Sequence, residues 1–231
     1  DGDDTLWRSE DHFAEAQAGF ERILARYVDI DDVHDRLYAI EKRNLALFGY
    51  GVKGMTLSMI EAAVAITDDR IAAADVHRLV GLGKTLLRHP VELLPGIRAA
   101  VEAIAADHPV VLITKGDLFH QEAKVKQSGL ADLFRRIEIV SEKDAPTYAR
   151  VLAEFELPAE RFAMIGNSLR SDIVPVLALG GCGVHMPYRL TWTHETQAEL
   201  PADAAARLRT VGAPEELPAA VRALREEPAA D

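Results

Sequence analysis

Cysteine is almost absent: Cys182 stands alone in 231 residues, so no intrachain disulfide can form. That excludes the disulfide-stapled secreted classes and makes a reducing cytoplasm the expected compartment. Cys182 lies in the apolar run Gly180–Val184, where a buried structural thiol is expected rather than a reactive one. Basic residues are outnumbered, 26 Lys and Arg against 37 Asp and Glu, for a net charge of -11. Nucleic acid and anionic membrane surfaces need clustered Lys and Arg, so neither is an expected partner. A small anionic substrate stays open, because a bound metal and one or two lysines reverse the sign locally. No apolar stretch reaches membrane-span length, and none reads as a signal peptide. The eight histidines lack HxxxH-type spacing, which argues against a zinc site.

What is present is ordinary in bulk: 48% hydrophobic, 27% charged and only 6% aromatic. Such a chain forms one sizeable domain, or a domain plus an insert. The unusual stretch is Asp1-Gly2-Asp3-Asp4-Thr5. In extended or loop backbone, side chains at i and i+2 point to the same side. Asp1 and Asp3 would then converge on one small volume, where carboxylates repel unless a cation or a shared proton relieves them. A divalent metal with oxygen ligands is the natural partner. No hydrophobic strand precedes Asp1 to support it, so upstream residues are expected in the natural protein.

From Asp11 to about Arg88 the pattern is helical. Phe13, Ala16, Phe20, Ile23, Leu24 and Tyr27 keep the spacing of an amphipathic helix. Asp31 and Asp32 offer an N-cap for a second helix carrying Val33, Leu37, Ile40 and Leu45. Phe48 to Gly54, with three glycines, predicts a flexible turn before two further helices. The block reads as a bundle of about four helices. After Pro95 the rhythm changes to alternation. Short apolar runs at 110–113, 137–140, 162–165 and 183–186, with a weaker one at 208–211, alternate with helices near 97–105, 118–128, 145–154, 172–179 and 214–224. This pattern predicts a doubly wound α/β sheet of parallel strands. Glu226 to Asp231 is expected to fray.

Ligands of open α/β sheets bind beyond the carboxyl ends of the strands. There the chain places Thr114-Lys115-Gly116-Asp117, then Ser141-Glu142-Lys143, then Gly166-Asn167-Ser168-Leu169-Arg170-Ser171-Asp172. Singly, each is a common loop composition; in this order, behind Asp1 to Thr5, they carry a resemblance. Asp1-Gly2-Asp3-Asp4-Thr5 resembles the DxDxT first motif of the haloacid dehalogenase superfamily. Ile113-Thr114 resembles its second motif, Lys143 its third, and Gly166 to Asp172 its acidic fourth, with Asn167 standing where a first acidic residue is usual. The resemblance implies a Rossmann-like core from residues 1–10 and 90–231, with an all-helical cap domain, 11–89, inserted after the first motif.

It also implies a magnesium-dependent phosphohydrolase acting on a small phosphorylated substrate. Asp1 would be the nucleophile and Asp3 the general acid and base. Thr114, the amides of Lys115 and Gly116 after it, and Lys143 would hold the phosphoryl oxygens. Mg2+ would be bound by Asp1, Asp3 through its carbonyl, and Asp172, with Asn167 as a neutral ligand or an orienting hydrogen bond. Lys53 either grips a substrate anion or is an exposed turn lysine. Asp3 favours phosphate esters, because in the family that the chain resembles dehalogenating members lack an aspartate there and members that cleave carbon–phosphorus bonds tend to lack it. A phosphomutase, a receiver-type signalling domain and a degenerate binding module remain the competing readings, and a dimerisation role for the helices competes with the cap. Oligomeric state is not legible.

Overall fold

A computed structural model describes residues 1–195, 198–202 and 204–226. The chain divides into two compact units, one of Asp1–Glu10, Val91–Lys115 and the residues from Ala123 onward, the other of Asp11–Pro90 and Gly116–Glu122.

The second unit is helical. Its apolar stripes form α1 (Glu10–Leu24), α2 (Val33–Phe48), α3 (Val52–Ile66) and α4 (Ala73–Arg88). Phe20 and Leu24 of α1, Leu37 of α2, Met59, Ala62 and Ala63 of α3 and Leu79 of α4 make its core. Each fully buried side chain of Leu or Phe size contributes about 1.5–3 kcal/mol. Small residues on α3 (Gly54, Ser58, Ala62, Ala63) are all buried, which lets neighbouring helices approach closely. Buried Asp75 fixes the start of α4 to the end of α1, accepting from Tyr27 Oη at 2.5 Å and pairing with Arg26 and Arg78.

Three details differ from the sequence reading. The glycine turn is shorter, because α3 begins at Val52 and takes in Lys53 and Gly54. A Cβ on Gly54 would lie 2.7 Å from the Gly49 carbonyl oxygen, so this glycine serves close packing rather than a flexible turn. Asp32 occupies the N-cap of α2 but makes no capping hydrogen bond with its side chain. Residues 116–122 group with the helical unit: Asp117 accepts from Lys53 Nζ at 2.9 Å, and its backbone lies against Gly51.

The first unit alternates helix and strand: α5 (Ile97–Ala105), β1 (Val111–Lys115), α6 (Leu118–Ser128, of which this unit holds the part from Ala123), β2 (Arg136–Val140), α7 (Ala145–Glu154), β3 (Ala163–Gly166), α8 (Val174–Ala178), β4 (Cys182–His185), α9 (Ala204–Arg207), β5 (Leu208–Thr210) and α10 (Leu217–Glu226). Every strand pairing is parallel, β1 with β2 in one ladder and β3–β4–β5 in another. Short apolar strands such as β1, buried along its middle, suit a sheet covered by helices. The expected helix at 172–179 is replaced by a π-helical turn, Leu169–Ile173, followed by the shorter α8. Ser168 Oγ accepts from Ser171 N at 3.0 Å and starts that turn, and Pro175 fits the first turn of α8. Cys182 is half-buried, with burial raising its pKa. Glu226 closes α10, and 227–231, the rest of the expected frayed end, lie outside the described residues. No helix among the described residues is long and apolar enough to cross a membrane.

Candidate active site

The first-motif loop lies between the carboxyl ends of β1 and β3. The backbone nitrogen of Asp1 donates to the carbonyl of Ile165 on β3 at 2.9 Å. Gly2 fits between Trp7 and Thr114: a Cβ there would lie 2.9 Å from the Trp7 ring and 3.2 Å from Thr114 Oγ1. Fully buried Trp7 packs with Leu6, Ile97, Leu112 and Val184 and anchors the loop in the core. Asp4 takes no place among the converging carboxylates. It turns away with φ 59° and accepts from the amides of Ser9 (2.9 Å) and Glu10 (3.1 Å), capping the entry to α1. Burial and the neighbouring Asp3 push its pKa up to about 7.

Three of the sequence-predicted residues meet at one cation. Lys143 Nζ, supplied by the loop after β2, lies 2.5 Å from Asp1 Oδ1 and 2.6 Å from Asp172 Oδ1. The lysine side chain is 3% exposed and the carboxylates 7% and 1%, so solvent screens this triad little. Burial favours loss of the Lys143 proton, but the adjacent Asp172 carboxylate outweighs it and holds the pKa above the ordinary lysine value. Asp172 is set by the π-helical turn, which brings its Oδ2 within 3.0 Å of Ser168 N. It leans on Gly166, where a Cβ would lie only 2.2 Å from the Asp172 carboxyl carbon, so the fourth motif requires glycine at that point.

The remaining oxygen of Asp1, Oδ2, accepts from Thr5 Oγ1 at 2.9 Å. Asn167 satisfies its surroundings with its amide nitrogen toward Asp1 Oδ2 (3.0 Å) and the Asp3 carbonyl oxygen (3.2 Å). In that orientation the nitrogen, not the amide oxygen, faces the first-motif loop. Thr114 is buried at the end of β1 against Gly2.

Lys115 points elsewhere than a bare phosphate cradle requires. Its Nζ donates to Glu195 at 2.6 Å and to Ser171 Oγ at 2.8 Å. Glu195 also accepts from Ser168 Oγ (2.5 Å) and Ser171 Oγ (2.6 Å). Burial acts to raise its pKa, but the Lys115 ammonium and these hydroxyls hold it at about 2. Gly116 and Lys53 belong to the helical unit, where Lys53 pairs with Asp117.

Two participants had no signal in the sequence. Lys124 of α6 reaches Asp3 Oδ1 at 2.7 Å, and Trp7 Nε1 donates to the same oxygen at 2.6 Å. Glu195 joins from a polar loop after β4, next to the Trp192–His194 ring pair. Neither residue sits in a motif, and only tertiary packing brings them in.

The donor set bears on a metal. A single ammonium touches both Asp1 Oδ1 and Asp172 Oδ1, so one cation can be shared by the two carboxylates. With the Asp3 carbonyl the available donors are all oxygen, which suits a hard divalent cation such as Mg2+.

The model of haloacid dehalogenase-like hydrolases matches residues 1–180, and the chain belongs to that family. Among solved structures, a haloacid dehalogenase-like family hydrolase from Xanthomonas campestris is 60% identical, with a TM-score of 0.86 over 96% of this chain and 88% of that one. A 2-haloacid dehalogenase from Pseudomonas syringae pv. Tomato superposes with a TM-score of 0.62 at 16% identity, covering 96% of this chain and 95% of that one. A proposed HAD-hydrolase, YfnB, from Bacillus subtilis, described as bound to magnesium, has a TM-score of 0.65 at 17% identity, again covering 96% and 95%. No curated protein matches the chain. The fold is therefore the family's α/β Rossmann-like core with an all-helical cap inserted in the sequence after the first motif.

Proposed function

We propose that this hydrolase is a magnesium-dependent phosphatase acting on a small phosphorylated metabolite through an aspartyl-phosphate. The observation that carries the reading is the buried Asp1–Lys143–Asp172 triad with a second carboxylate, Asp3, in the same loop. The fold alone does not choose the reaction, since the same architecture serves a 2-haloacid dehalogenase. Asp3 supports the phosphatase reading: a halide leaves without a proton, whereas an alkoxide leaving group needs one.

Asp1 would attack phosphorus, and the ester oxygen would depart carrying a proton from Asp3. Asp3 would next take a proton from the water that opens the aspartyl-phosphate. Thr114 Oγ1, the backbone amides of Lys115 and Gly116, and Lys143 would hold phosphoryl oxygens as charge shifts among them; removing one such donor typically costs about 10²–10³ in rate. Mg2+, when held by Asp1, Asp172 and the Asp3 carbonyl, would neutralise charge between nucleophile and substrate. Asn167, with its amide nitrogen toward Asp1, would orient the nucleophile rather than ligate metal.

The test is phosphate release from a panel of phosphorylated metabolites with and without Mg2+, run beside halide release from 2-haloacids. Magnesium-dependent phosphate release from at least one ester is expected. Halide release without phosphate release, or phosphoryl return to a sugar with no free phosphate, would overturn the assignment.

A further inference from the structure

We propose that Lys124 is a positioning residue for Asp3, fixing the carboxyl group that hands a proton to the leaving oxygen. The inference rests on the phosphatase reading above. Lys124 extends from α6 with its side chain 11% exposed, and its ammonium lies 2.7 Å from Asp3 Oδ1 and 3.4 Å from Ser9 Oγ. Burying an ammonium carries a desolvation penalty of several kcal/mol, so its placement needs a strong partner. That partner is the second carboxylate of the first motif.

Trp7 makes the arrangement specific. Its indole nitrogen donates to the same oxygen, Asp3 Oδ1, at 2.6 Å, and its ring is fully buried and packed on Gly2. Two donors on one oxygen fix the plane of the carboxyl group. In the transfer step a bond forms between an Asp1 oxygen and phosphorus. The bond from phosphorus to the ester oxygen breaks with its electron pair on that oxygen, which takes the Asp3 proton and leaves as an alcohol. Negative charge then appears on Asp3 beside an ammonium and an indole N–H already in place, with no reorganisation needed.

Dependence on the leaving group separates this role from a merely structural one. The value of kcat/KM reports events up to the first phosphoryl transfer, where Asp3 serves only the leaving oxygen. Lys124→Met should lower kcat/KM about 100-fold on the best alkyl phosphate of the panel, within the range of general acid catalysis. It should lower it no more than about fivefold on 2,4-dinitrophenyl phosphate, whose leaving group needs no proton. Trp7→Phe keeps the ring bulk and the charge, and should show the same selectivity at about a tenfold loss on the alkyl ester. It also carries the test if Lys124→Met does not fold. Equal losses on both esters, or none on either, with an active wild type, would overturn the positioning role alone. A wild type that hydrolyses neither ester would overturn the phosphatase reading and this inference with it.

Discussion

Replacing Lys143 by methionine removes an ammonium that Asp1 and Asp172 share while roughly conserving side-chain length. Its ammonium lies 2.5 and 2.6 Å from the two carboxylates, and all three side chains are at most 7% exposed. Breaking a buried ion pair by deleting one partner costs about 3–5 kcal/mol, because the charge left behind stays desolvated. With a urea m-value of roughly 2–3 kcal/mol/M, the unfolding midpoint should fall by about 1–2 M in the absence of divalent cations. Equilibrium urea unfolding followed by far-UV circular dichroism reads this directly. The same variant should regain stability with Mg2+, since a ligand at 100 times its Kd adds about 2.7 kcal/mol. Adding Asp172→Asn to Lys143→Met should be less harmful than Lys143→Met alone, because it removes one of the orphaned charges. An unchanged midpoint, or a double variant destabilised by the full sum, would refute the shared-cation argument.

Glu195 gives a pH signature of definite sign. Its pKa is about 2 against an ordinary 4.5, a depression set against burial by Lys115 and two serine hydroxyls. A depressed carboxylate stabilises the fold above its unfolded pKa and loses that contribution as pH falls through the folded value. Glu195→Gln should therefore lower stability by about 3 kcal/mol at neutral pH, with the gap to wild type closing as pH falls from 4.5 toward 2. A gap independent of pH in denaturation series would contradict the ion-pair account. Gly166→Ala would place a methyl 2.2 Å from the Asp172 carboxyl carbon and push that side chain aside. Calorimetry should then show Mg2+ affinity weakened by about tenfold or more; unaltered affinity would mean that Asp172 does not need its present place.

The sequence made the architecture legible because both periodicities were strong. Apolar residues three and four apart marked the helices, and four short apolar runs marked strands that the structure places within a residue or two. Loop chemistry was legible where a motif fixed it: Asp1, Lys143 and Asp172 are far apart in the chain, yet the structure brings all three together, Lys143 and Asp172 from the segments that follow β2 and β3. Ser168 as a cap, Pro175 and the π-helical turn displaced the predicted helix at 172–179, since these local contacts override an apolar run. Lys124 was invisible because nothing on the exposed-looking face of α6 marks a lysine that folds inward to a carboxylate 121 positions away. The orientation of Asn167 was open too; the two oxygens that accept from its amide nitrogen belong to Asp1 and Asp3, and only their placement settles which end faces them.

The most direct measurement is acid-quench labelling of the enzyme during turnover of a ³²P-phosphate ester, with the labelled residue located by peptide mapping. The account predicts transient label on Asp1 in the wild type, and neither label nor turnover in Asp1→Asn. Undiminished phosphate release by Asp1→Asn, or label on another residue, would contradict it.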